Sequence, residues 1–271
     1  MPLFSSCRTA YIIAHFFFIS YFFIIFLIIF GIIIVYGSDD MKKNNINNIL
    51  KGFLAIFIYF YASATNFNIW ILDILHLNYT KWSNEVKCAY SIIYQLFICI
   101  AIISIFYKSY KEQFIKFIKN FKNYISNYIK YWFMALGLMI LSNIIIQMIA
   151  SGLAPNEQAV RDTLQLEPLY TFIVSVIIAP FLEESIFRLS IRKIISKCNW
   201  LFIFISGLSF GLLHVIGNTA VWTDWLFIVP YSIPGIIFAY TLVKSDNIFV
   251  PISLHTIHNG ILVTIQLLTM L

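Results

Sequence analysis

The sequence predicts an all-α fold: a polytopic bundle of membrane-spanning helices. Of its residues, 61% are hydrophobic and only 11% are charged, whereas about 25% of a soluble domain is charged. Its mean hydropathy is +0.86. Apolar runs that reach the roughly 20 residues needed to cross a bilayer recur from one end of the chain to the other. These observations exclude an ordinary soluble globular domain and predict an integral membrane protein.

Polar breaks between the apolar runs predict about eight transmembrane helices. The first run exceeds the roughly 7–15 residues of a cleaved signal-peptide core and lacks a small-residue cleavage site, so we expect a retained membrane helix. The predicted spans are 11–36, 52–75, 88–107, 131–152, 168–190, 200–216, 225–243 and 248–271.

Positive charges concentrate in four connections, and they predict the orientation of the bundle. Segments 37–51, 108–130, 191–199 and 244–247 hold most of the 18 Lys and Arg residues. The other side keeps only Arg8, Lys81, Lys87 and Arg161 outside the spans. Because positive loops are retained in the cytoplasm, both termini are expected outside it. The net charge of +6 is thereby explained without nucleic acid as a partner. The composition favours a bacterial plasma membrane.

Segment 111–130 differs from the spans because its apolar residues recur at helical spacing, with lysines on the other face. This pattern predicts an amphipathic helix in the membrane interface, and a calmodulin-target helix is the alternative. The apolar face comprises Phe114, Phe117, Ile118, Phe121, Tyr124, Ile125 and Tyr128. The polar stretch 154–168 is expected to be an extracytoplasmic connection, and we assign it no chemistry.

The fifth predicted span contains the segment PFLEESIFR at 180–188. Ionisable groups inside membrane spans cost about 2.5–3.5 kcal/mol on insertion scales and are therefore functional candidates. Glu184 and Arg188 lie four residues apart on one helix face, in the favourable order for an ion pair. Glu183 points about 100° away on a regular helix. Spacing thus predicts a partner for Glu184 and leaves Glu183 as the candidate general base.

Two further spans each carry a polar pair at a spacing of four. FGLLH places Phe210 and His214 on one face, and HTIHN does the same for His255 and Asn259. Together with Glu183, these side chains can activate a water molecule and hydrogen-bond an oxyanion.

The order EExxxR, FxxxH and HxxxN on successive spans resembles the CAAX prenyl protease and bacteriocin-processing family of intramembrane proteases (CPBP, also called Abi). The resemblance implies that Glu183 activates water with help from His214, while His255 and Asn259 polarise the scissile carbonyl and hold the oxyanion. Glu184 and Arg188 would then shape the site, and Phe210 would pack beneath His214.

The resemblance also implies an intramembrane endopeptidase acting on membrane-associated peptides or proteins in the lipid bilayer. CAAX-type processing, bacteriocin processing and self-immunity are all represented in the family. We therefore expect the chain to consist of N-terminal membrane helices at 1–130, which include the amphipathic segment 111–130, and a protease core at 131–271.

Other interpretations stay open. The set Glu183, His214 and His255 is also a common zinc ligand set, and the family is often called metalloproteases. A non-proteolytic immunity or binding protein, or a proton-coupled transporter, would use the same buried groups. His258 is expected to lie about 60° from the face of His255, outside the reacting set.

Depth along the helices poses a difficulty for this site. We expect the cavity to open to the cytoplasm, with Glu183 roughly 10–13 Å deep and His214 nearer ~20 Å. In upright helices these two side chains would not meet.

Overall fold

The structure is a computed structural model that describes residues 43–64, 67–150, 152–216 and 219–270. These residues form helices and contain no strand, which confirms the all-α prediction. The first helices are α1 (Lys43–Ala64), α2 (Phe67–Ile74), α3 (Asn84–Ile105), α4 (Tyr107–Lys119), α5 (Phe121–Gln147) and α6 (Pro155–Leu166). The last three are α10 (Asn199–Val215), α11 (Ile228–Ser245) and α12 (Phe249–Met270).

Between α6 and α10 runs one continuous helix at 168–194, here called the glutamate helix. It comprises α7 (Pro168–Phe172), π1 (Ile173–Ile178), α8 (Ala179–Glu183), π2 (Glu184–Ser190) and α9 (Ile191–Ile194). Pro168 starts it, as its fixed φ allows at a helix N-terminus. Wide π turns inside α-helices are frequent at functional sites, and both π turns here carry site residues or their partners.

Within the described residues, four helices are long and apolar enough to cross a membrane: 46–63 within α1, α3, α5, and 222–245, which includes α11. The protein is an integral multi-pass membrane protein. Two span predictions need comment. The predicted span 52–75 covers most of α1 and all of α2, and residues 65 and 66 between these helices lie outside the described residues. The span 11–36 lies outside the described residues.

The predicted amphipathic helix at 111–130 is two helices. α4 ends at Lys119. The side-chain amide of the next residue, Asn120, donates to the Lys116 carbonyl and so competes with the backbone ladder. Residues from Phe121 onward begin the long α5. Only part of the predicted apolar face is buried: Phe117 packs inside the protein, whereas Phe114 and Ile118 are exposed.

The lysine-rich connections meet at one end of the bundle, here called the lysine-rich end. Gln113 of α4 accepts a hydrogen bond from the Ile248 backbone N–H at 2.6 Å. Burial and nearby Lys51 lower the pKa of Lys193, against the opposing carboxylates of Asp246 and Glu112. Residues from all four predicted cytoplasmic connections therefore lie together, as one membrane side requires.

α10 and α11 approach each other closely through two glycines. A Cβ atom on Gly235 would lie only 2.8 Å from the Gly207 carbonyl oxygen. This contact brings α10, with Phe210 and His214, against the first half of α11. The packing of α10 and α11 thereby places Phe210 and His214, two of the candidate site residues, against the glutamate helix.

Candidate active site

The predicted ion pair between Glu184 and Arg188 is present and fully buried. Nε of Arg188 lies 3.0 Å from Oε2 of Glu184, and both side chains are 0% exposed. The guanidinium lies 4.4 Å from the centre of the Phe210 ring, and its Nη2 donates to the Gly235 carbonyl at 3.3 Å. A buried charge needs such partners to offset its lost hydration, so Arg188 ties the glutamate helix to α10 and α11.

His255 lies between the two glutamates. Its Nδ1 is 2.8 Å from Oε1 of Glu184, and its Nε2 is 3.7 Å from Oε2 of Glu183. Sequence reasoning missed the bond to Glu184, because 71 residues separate the two positions and no local spacing signals it. Glu184 therefore has two partners, Arg188 and His255. Its bond to Nδ1 orients the imidazole so that Nε2 faces Glu183.

The junction between α8 and π2 explains why adjacent glutamates share one histidine. On a regular helix, neighbouring side chains diverge by about 100°. The π turn starts at Glu184 and has more residues per turn, so each residue turns through a smaller angle. Glu183 keeps 14% of its side chain exposed, whereas Glu184 has none. The two acids thus differ in access, although both face His255.

His214 presents one ring nitrogen to the site. Its Nδ1 lies 2.9 Å from the Phe210 carbonyl oxygen and donates to it. In that tautomer Nε2 remains free as an acceptor. The ring stacks on Tyr231 at 4.8 Å and 20°, so Tyr231 fixes its plane. Sequence reasoning did not identify Tyr231, which lies in an apolar run without a motif.

One side-chain amide hydrogen of Asn259 is hydrogen-bonded, and the other is available to a ligand. Its Nδ2 donates to the Ser175 carbonyl in π1 at 2.8 Å. Because a side-chain amide has two N–H donors, the second one can bind another acceptor. The contact also fixes the side chain, since it ties α12 to the glutamate helix.

A cavity of about 380 Å³ brings the predicted residues together. Glu183, His214, His255 and Asn259 all line it, and so does Phe210. His214 lines the same cavity as the other three residues, and Phe210, one turn before it, lies 5.6 Å from His255 between ring centres. The expected difference in depth therefore does not prevent Glu183 and His214 from lining one cavity.

The residues that line the cavity do not extend to the lysine-rich end, where the expected cytoplasmic opening would lie. The cavity walls instead include Asn156, Glu157 and Val160 of α6, and Gln266 near the end of α12. These residues lie at the opposite end of the bundle. None of the described residues in the lysine-rich connections lines the cavity.

His258 also lines this cavity. It is 6% exposed, and its Nδ1 has no hydrogen-bond partner among the described residues. The ring lies edge-on to Phe238 at 6.5 Å. It is therefore part of the cavity wall, one turn from His255, without a contact to either glutamate.

The described residues do not form a preassembled zinc site. Among the described residues, no three His, Cys, Asp or Glu side chains are grouped closely enough to hold a metal ion. We derive no step through a metal. Zinc binding stays a prediction, which metal analysis of the purified protein can test.

Comparison with known proteins finds a family that the region around this cavity resembles. Residues 165–261 match the family described as type II CAAX prenyl endopeptidase Rce1-like. The resemblance to the CPBP family is confirmed. The CPBP-like region contains all seven predicted site residues: Glu183, Glu184, Arg188, Phe210, His214, His255 and Asn259.

Two curated bacterial proteins are similar to the chain. "Putative membrane peptidase YdiL" of Bacillus subtilis (strain 168) is 36% identical over 114 residues, which cover 41% of this chain and 43% of that protein. "Membrane-embedded CAAX protease MroQ" of Staphylococcus aureus (strain USA300) is 33% identical over 123 residues, which cover 42% and 46%. The match thus spans less than half the length of each relative. No solved structure matches the chain.

Proposed function

We propose that this protein is an intramembrane endopeptidase that hydrolyses peptide bonds of membrane-associated substrates with water activated by Glu183. The observation that carries the proposal is the convergence of Glu183, His214, His255 and Asn259 on one buried cavity. The family match and the printed names of the two relatives support a peptidase.

Glu183 is the group best suited to hold the attacking water. Its carboxylate is partly exposed in the cavity and lies 3.7 Å from His255 Nε2, a separation that one bridging water can span. Glu183 takes a proton from this water while the oxygen attacks the scissile carbonyl carbon. The same proton then passes to the leaving amine as the carbon–nitrogen bond breaks.

The developing oxyanion needs fixed hydrogen-bond donors. Asn259 has a second amide N–H available after its bond to Ser175. His255 donates from Nε2 when both ring nitrogens carry hydrogen, and Glu184 then holds the Nδ1 side.

His214 completes the set from the far side of the cavity. Its Nε2 is directed by the Nδ1 bond to the Phe210 carbonyl and by the stack on Tyr231. From there it can accept a hydrogen bond from the water and assist Glu183.

The test is cleavage in a reconstituted membrane. Purified protein in vesicles is given a library of fluorogenic peptides, each tethered by a lipid anchor or a single membrane helix. We expect wild type to cleave a subset, and Glu183→Ala and His214→Ala to lose that activity while folding normally. Glu112→Gln is the matched control, because this exposed acid lies at the lysine-rich end.

Persistent cleavage in both alanine variants would contradict the proposal. If instead the same variants keep protection against a bacteriocin, the chain acts as a binding or immunity protein. Proton-coupled flux into vesicles, abolished by Glu183→Ala, would indicate a transporter.

A further inference from the structure

We propose that the cavity takes its substrate from the extracytoplasmic side, as an extended peptide segment of a membrane-anchored protein that passes α6. The inference rests on the proposed endopeptidase function, because it takes the bound peptide to be a substrate. The direction of access depends on the structure and on the charges alone.

Aromatic side chains pack α4 against the glutamate helix beside the site. Tyr110 of α4 stacks on Phe181 at 5.5 Å and meets Phe249 edge-on at 6.0 Å. The Tyr110 hydroxyl also hydrogen-bonds Ser185, one residue after Glu184. These contacts fix α4, which belongs to a lysine-rich connection, against the glutamate helix at the level of the glutamates.

The cavity extends away from these aromatic contacts. At about 1.5 Å per residue, Phe238 lies ~10 Å from the lysine-rich end of α11, and Tyr231 lies ~21 Å from it. Gln266 lies ~26 Å along α12 from Phe249. All three line the cavity. It therefore runs from mid-bundle to the end where α6 lies.

The α6 end of the cavity has the chemistry of a peptide-binding mouth. Asn156 and Glu157 line it from α6, and Asn143 lines it from α5. Oε1 of Gln266 is buried without a hydrogen-bond partner among the described residues, as is Nδ1 of His258. A buried polar atom without a partner is costly, so a bound peptide backbone that supplies N–H and C=O groups would satisfy both.

Charge places this mouth outside the cytoplasm. The connections at the opposite end carry Lys51, Lys193, Lys197 and Lys244, together with the lysines of 108–130. The α6 end has Arg161, which is paired with Glu157 at 2.7 Å. Since positive loops stay cytoplasmic, the mouth faces the outer side of the plasma membrane. The substrate class is then membrane-anchored peptides exposed outside the cell, rather than cytoplasmic carboxyl-terminal tails.

Cysteine labelling tests the direction of access without any cleavage. The four native cysteines are replaced by serine, and single cysteines are introduced as Asp162→Cys on exposed α6, Gln266→Cys in the cavity wall, and Asn120→Cys at the lysine-rich end. Spheroplasts are treated with a membrane-impermeant maleimide before and after permeabilisation. We expect the cysteines at 162 and 266 to react in intact spheroplasts, and the cysteine at 120 only after permeabilisation.

Each other outcome overturns the proposal in a different way. Labelling at 120 but not at 162 in intact spheroplasts would show that the mouth faces the cytoplasm. If the cysteine at 162 is labelled in intact spheroplasts and the cysteine at 266 is not, the cavity is closed on the outer side. Neither result depends on peptide cleavage, so the endopeptidase proposal is tested separately by the reconstituted assay.

Discussion

Nδ1 of His255 lies 2.8 Å from Oε1 of Glu184, and this contact decides what the two adjacent glutamates do. Glu184 joins Arg188 to His255 at full burial, whereas Glu183 faces Nε2 of the same ring from the cavity. One acid therefore supports the imidazole, and the other is accessible to water. Four predictions follow from this arrangement and from the helices that hold it.

The buried ion pair should matter far more to stability than an exposed one. Glu184→Gln leaves Arg188 without its carboxylate and is expected to cost about 3–5 kcal/mol in the free energy of unfolding. Glu157→Gln breaks a partly exposed pair of the same spacing and should cost about 0–1 kcal/mol. Thermal unfolding in detergent measures both variants, and equal losses would contradict the contrast.

Asn259 is expected to act on the oxyanion rather than on substrate binding. Asn259→Ala should lower kcat by about 10²–10³-fold, as for other lost oxyanion donors, with little change in KM. Thr264→Ala, on an exposed face of the same helix, is the control. Steady-state cleavage of a tethered peptide gives both constants, and a loss confined to KM would argue against this role.

Tyr231 should position His214 through its ring. Tyr231→Phe keeps the aromatic stack seen at 4.8 Å and is expected to retain most of the kcat. Tyr231→Leu removes the flat surface and should lower kcat while thermal stability stays close to that of the phenylalanine variant. If leucine and phenylalanine variants cleave equally fast, stacking does not orient His214.

The close approach of α10 and α11 leaves no room for a side chain at Gly235. A Cβ atom there would lie 2.8 Å from the Gly207 carbonyl and 3.2 Å from Phe210 Cβ. Gly235→Ala should therefore destabilise the protein and push Phe210 out of place. Gly137→Ala, where nothing lies within 4 Å of the added atom, is the control. Monodispersity and unfolding temperature in detergent report the difference.

Much of the site could be predicted because it follows from local spacing. Arg188 reaches Glu184 because four residues return to one helix face. Phe210 with His214, and His255 with Asn259, share faces for the same reason. The π turns and the bond of Asn259 to Ser175 could not be predicted, since they depend on neighbouring helices.

By itself, the sequence determined the helical membrane class, the uneven distribution of lysines and the residue types available for chemistry. These properties are local: apolar composition, charge count and helical period. Tertiary structure alone decided that His255 bonds Glu184, that His214 and Phe210 line the same cavity as the glutamate, and that the cavity extends toward α6. Each of these depends on how separate helices pack, where buried polar groups must find partners that chain spacing does not specify.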